Sequence, residues 1–179
     1  MTLTQAAIPD VVVLEPKIFE DNRGVFFEAY NRKKFAAAGL DCEFVQDNQS
    51  VSKKNVLRGL HYQITQPQGK LVRALRGEIF DVAVDCRRSS PHFGKNVHVV
   101  LSAQNRKMIW IPAGFAHGFL VLSETAEVLY KTTDFYAPEF ERTLLWNDPE
   151  LSIPWPSSEP LLSAKDQQGL VLQKAETFA

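Results

Sequence analysis

Short apolar runs recur along this chain between glycines, prolines and small polar residues: Val11 to Leu14, Val25 to Tyr30, Leu71 to Leu75, Ile79 to Val84, His98 to Leu101, Met108 to Ile111, Phe119 to Leu122 and Val128 to Thr132. Many short strands in succession predict an all-β sandwich or barrel. In Ile79 to Asp85, Phe80, Val82 and Val84 alternate with Asp81 and Asp85. A half-buried strand is expected there, with the aspartates on the solvent side. Arg76-Gly77-Glu78 reads as a hairpin turn that pairs the strands flanking it. Only Arg32 to Ala38, stopped by Gly39, has helical composition.

After Trp146 the chain turns Pro-rich, at Pro149, Pro154, Pro156 and Pro160, which suits a strap laid over the surface. No internal repeat is present. At 179 residues, residues 1–179 are expected to form one domain.

A net charge of −1, from 20 basic and 21 acidic residues, supplies no field to hold nucleic acid or an anionic membrane. Only Cys42 and Cys86 are present, too few for a disulfide framework or a thiolate metal site, and both are expected to be buried thiols. Met1 to Asp10 lacks the basic and apolar stretches of a secretory signal, so a cytoplasmic location is expected.

Polar, chemically capable residues crowd into Gln46-Asp47-Asn48-Gln49-Ser50, Leu57-Arg58-Gly59-Leu60-His61-Tyr62-Gln63 and Gln68-Gly69-Lys70. On the inner face of a barrel such residues are costly unless paired or used, which points to a ligand cavity; a solvent-facing strand is an equal reading of the composition. His61 is the first candidate for a general base, because imidazole titrates near neutrality, although a lone histidine is more often structural. Strict alternation places Arg58 and His61 on opposite faces. Both reach one pocket only if Gly59 bulges or Arg58 ends the strand.

Ile111-Pro112-Ala113-Gly114-Phe115-Ala116-His117-Gly118-Phe119 matches the Pro-x-Gly-x-x-His pattern of the second cupin motif and predicts a double-sheet jelly roll. Metal-binding cupins also carry a His-x-His pair, and here the comparable segment reads His61-Tyr62-Gln63. With His92 and His98 in loop-like or strand-start positions, the four histidines fall short of a metal site.

Taken together, these segments resemble the dTDP-4-dehydrorhamnose 3,5-epimerase family over nearly the whole chain. The stretches in register are Phe19 to Gly24, Leu57 to His61, Gly69 to Val72, Ile111 to Phe119, Tyr130-Lys131 and Leu162 to Asp166. The resemblance implies a homodimer of jelly-roll subunits that inverts C3 and C5 of a dTDP-linked 4-keto-6-deoxy sugar in dTDP-L-rhamnose biosynthesis, without metal or cofactor. By the same resemblance His61 is the general base, Tyr130 the general acid and Asp166 the residue that orients His61. Lys70 is the natural stabiliser of the enolate oxygen. Substrate contacts are assigned to Arg23, Glu28, Gln46, Asp47, Asn48, Arg58, His117, Glu141 and Lys165, with Tyr136 stacking on thymine. The chain departs from the family pattern at Gln49, where relatives often carry His, and at Phe135, where many carry Tyr. A single-site epimerase or ketoisomerase, a catalytically silent sugar-nucleotide binder and a metal-dependent oxygenase are the competing readings.

Overall fold

In the computed structural model, which describes residues 1–179, the chain forms two β-sheets and a separate two-stranded ribbon. The first sheet runs in the order β1 (Thr2–Gln5), β2 (Val12–Glu15), β10 (Met108–Ile111), β7 (Lys70–Arg76), β12 (Thr125–Thr132), β5 (Gln46–Lys53). The second runs β13 (Glu141–Thr143), β6 (Leu57–Gln63), β11 (Phe115–Val121), β8 (Glu78–Asp85), β9 (Asn96–Ser102). The ribbon is the hairpin of β3 (Ile18–Asp21) and β4 (Gly24–Phe27). All strand pairs are antiparallel, and the two sheets pack as the expected jelly roll.

The space between the sheets is filled from both sides: Val72, Ile109 and Val128 of the first sheet and Ile79, Ala83, Phe119 and Val121 of the second share one buried cluster. Strand β8 is buried along its whole length after Glu78, which corrects the expected half-buried strand. The reason lies in the tail. Phe80, Val82 and Val84 face a second cluster, roofed by Trp155, Leu172, Ala175 and Phe178 of the C-terminal strap, while Asp81 and Asp85 are fully buried.

Gly77 is likewise not a hairpin turn. Strand β7 pairs with β10 and β12, whereas β8 pairs with β11 and β9, so the turn carries the chain from one sheet to the other. Its φ of +71° and its contact with the backbone at Thr125 suit glycine and leave no room for a side chain.

Helix α1 (Arg32–Ala37) lies where expected, capped by the Asn31 side chain, which accepts from the Lys34 amide. The strap carries one further helical turn, α2 (Ala164–Gln167), and docks through parallel bridges Val56–Leu161, Leu144–Leu170 and Arg87–Phe178. Cys86 is buried and Cys42 partly exposed, both as free thiols.

Candidate active site

The polar strand segments converge on one cavity of about 460 Å³, and only four of its 18 lining residues are hydrophobic. A pocket this polar suits a polar ligand. The bulge on β6 makes it possible. Opposite β11, His61 pairs with His117 and Arg58 with Phe119, so three steps on β6 span two on β11. The extra residue brings Arg58 and His61 to the same cavity, as anticipated for Gly59. Gly59 has φ +119°, and a Cβ there would lie 2.5 Å from the Gly118 Cα and 2.6 Å from the His117 carbonyl oxygen.

His61 and His117, cross-strand neighbours, each have an aspartate behind them. His61 Nε2 lies 2.6 Å from Asp166 Oδ1. Asp166, on α2, is further held by the Ser163 hydroxyl at 2.7 Å. Burial pushes the Asp166 carboxyl up, but the bonds from His61 and Ser163 outweigh it and hold it below the usual carboxylate range. With Asp166 accepting from Nε2, the proton-accepting lone pair of a neutral His61 falls on the other ring nitrogen. His117 Nε2 lies 2.9 Å from Asp81 Oδ2, both side chains being buried. Asp81 belongs to the set of residues at the site that sequence reasoning placed elsewhere, on the solvent face of β8. No group of three or more His, Cys, Asp or Glu side chains is arranged to hold a metal ion.

From the opposite sheet come Lys70 on β7 and Tyr130 on β12. Lys70 is buried, and its ammonium donates to the His61 carbonyl oxygen at 3.1 Å, crossing from one sheet to the other. Burial lowers its pKa to about 8, against the opposing pull of Glu141 and Asp81. The Tyr130 ring lies 6.4 Å from the His117 ring. Burial and the neighbouring Glu141 raise the pKa of its phenol.

On β5 the inward positions are Gln46, Asn48, Ser50 and Ser52. Gln46 donates to Asn48 at 3.0 Å and accepts from the Tyr136 amide at 3.1 Å, fixing the loop that carries this half-exposed aromatic. Tyr136 donates to Glu141 at 2.7 Å, and Glu141 also pairs with Lys165. The Glu141 bond raises the Tyr136 phenol to about 12. Arg58 Nε donates to Ser52 at 3.0 Å.

The structure thus gathers His61, Lys70, Tyr130, Asp166, Gln46, Asn48, Arg58, His117, Tyr136, Glu141 and Lys165 around one cavity. Three anticipated residues stand apart in the single chain. Asp47 points outward on β5, paired with Lys131 at 2.8 Å. Arg23, at the tip of the β3–β4 hairpin, pairs with Asp21 at 2.6 Å, and Glu28, just beyond β4, pairs with Lys34 at 2.8 Å. His92 and His98 do not border the cavity.

The protein is a jelly roll in which both sheets contribute titratable groups to one polar cavity. The sequence matches the dTDP-4-dehydrorhamnose 3,5-epimerase family over residues 5–174. It is 62% identical over 180 residues to dTDP-4-dehydrorhamnose 3,5-epimerase of Pseudomonas aeruginosa, covering 99% of each chain. The chain belongs to the dTDP-4-dehydrorhamnose 3,5-epimerase family and is an enzyme of the isomerase class. Among solved structures, it superposes on dTDP-6-deoxy-D-glucose-3,5-epimerase from Legionella pneumophila, in complex with dTDP-4-keto-L-rhamnose, with TM-score 0.95 and 48% identity over 98% of this chain and 94% of that one. The enzyme from Bacillus anthracis, with TDP and pyrophosphate bound, matches with TM-score 0.93 and 41% identity over 95% and 98%.

Proposed function

We propose that this chain epimerises dTDP-4-dehydro-6-deoxy-D-glucose at C3 and C5 to dTDP-4-dehydro-L-rhamnose, with its own side chains moving the protons. The observation that carries this reading is the placement of His61 and Tyr130 on opposite sheets of one cavity, which the Lys70 ammonium also lines as it donates to the His61 carbonyl oxygen. A proton beside the C4 ketone leaves as the enolate oxygen gains charge, and Lys70 is the cation positioned to meet that charge. His61 takes the proton from one face of the sugar. Tyr130, protonated at neutral pH, returns another from the opposite face, which inverts the carbon. His61 then loses its proton to solvent and Tyr130 regains one, so each inversion exchanges a carbon-bound hydrogen with water.

Arg58 and Lys165 suit the diphosphate, and the flat, exposed Tyr136 at the mouth suits the base. Arg23 and Glu28 fit the reading if the enzyme is a homodimer. They flank Val25 and Phe26, of which Phe26 is 71% exposed, on a hairpin that pairs with neither sheet; β1 leaves one edge of its sheet unpaired. Light scattering is expected to give twice the chain mass of 20.2 kDa, and a monomer contradicts the dimer. Free thiols accord with a cytoplasmic location. The catalytic assignment is tested by His61→Ala, expected to abolish solvent exchange at the sugar while leaving dTDP binding intact. Exchange at the wild-type rate in that variant overturns it.

A further inference from the structure

Of the polar side chains lining the cavity, the Ser50 hydroxyl is buried and has no hydrogen-bond partner within the protein. Its neighbours on the same face of β5 are all engaged: Asn48 with Gln46, and Ser52 with Arg58. A buried hydroxyl left unpaired is destabilising, so a native structure that keeps one at a cavity wall has a use for it.

The register locates that use. Asn48 pairs across to Tyr130, and Ser50 pairs across to Val128, which is fully buried in the core. Ser50 therefore lines the cavity one cross-strand pair further along β5 than Asn48 and Tyr130, while Tyr136, held by Gln46 at the start of the strand, lies toward the other end. A neutral hydroxyl, able both to donate and to accept, can match a sugar hydroxyl in either role, or donate to a ring oxygen.

We infer that Ser50 is a substrate-contacting residue that bonds the sugar, not the nucleotide, and so helps to set which hexose the enzyme accepts. This rests on the sugar-nucleotide reading of the cavity but not on the epimerase chemistry.

The test compares wild type with Ser50→Ala by calorimetric titration with dTDP-glucose and with dTDP, alongside thermal unfolding. Loss of one neutral hydrogen bond is expected to weaken dTDP-glucose about five- to tenfold. Affinity for dTDP should stay within twofold, and the melting temperature should hold or rise because an unpaired buried group is gone. Unchanged dTDP-glucose affinity overturns the inference, as does an equal loss for both ligands or a lowered melting temperature with no ligand-specific loss. Wild type that binds dTDP-glucose without epimerising the keto sugar contradicts the catalytic reading alone; wild type that gains nothing from the sugar over dTDP contradicts the Ser50 contact.

Discussion

His61 and Asp166 are 105 residues apart in sequence and 2.6 Å apart in space, because the C-terminal strap folds back beneath β6 and delivers the carboxylate to the ring. The carboxylate fixes which nitrogen of His61 carries hydrogen and, with His61 as the proposed base, stabilises the imidazolium that proton abstraction would form. Asp166→Asn is expected to lower kcat about 10–100-fold with little change in KM, read from steady-state kinetics.

The same pair has a consequence for stability. Asp166 titrates below its unfolded value, so its contribution is present above the unfolded carboxylate pKa near 3.9 and is lost as pH falls through the lower folded value. Acid unfolding of Asp166→Asn should lack that loss, and an unchanged acid transition contradicts it.

Lys70 separates activity from stability at alkaline pH. With its pKa at about 8, the ammonium proposed to meet the enolate is lost as pH rises through that value, and kcat/KM should fall there. The unfolded lysine, near 10.4, holds its proton longer, so between about 8 and 10 the unfolded state binds more protons and this group's contribution to stability increases with pH. Tyr130, raised above its ordinary value, does not produce the same limb. Lys70→Gln is expected to reduce kcat by about 10²–10³ and to remove the fall near pH 8.

Gly59 is the hinge of the site. An alanine there must tolerate φ +119° and backbone atoms at 2.5 and 2.6 Å from its Cβ. Gly59→Ala should destabilise by about 3 kcal/mol or more in urea unfolding and separate Arg58 from His61, lowering activity beyond the loss of folded protein.

Asp81 supports His117 from behind. Asp81→Leu leaves the His117 Nε2–H without its acceptor and should destabilise by about 1–3 kcal/mol, while Asp81→Asn, which keeps an acceptor, should recover most of that.

Most strand runs, helix α1 and the strap were legible because period-two alternation, alanine-rich composition and proline leave local marks in the sequence, whereas the single turn of α2 was too short to leave one. The role of Gly77 was not, since a glycine turn looks the same whether its strands pair or pass to different sheets. Asp81 was misplaced because alternation tells which residues share a face but not that the tail covers the other one. Arg58 and His61 reach the same cavity through one inserted residue, a feature that the glycine between them signals. Arg23 and Glu28 pair with neighbours away from the cavity in the single chain, and only the family resemblance marked them; Asp47 belonged to the polar run on β5, but alternation turns it outward.

The most direct test of the account is proton NMR of dTDP-4-dehydro-6-deoxy-D-glucose with the enzyme in deuterated water. The account predicts deuterium at both C3 and C5, trapped as dTDP-L-rhamnose once a reductase and NADPH are added. Exchange at one carbon only, or at neither, contradicts it.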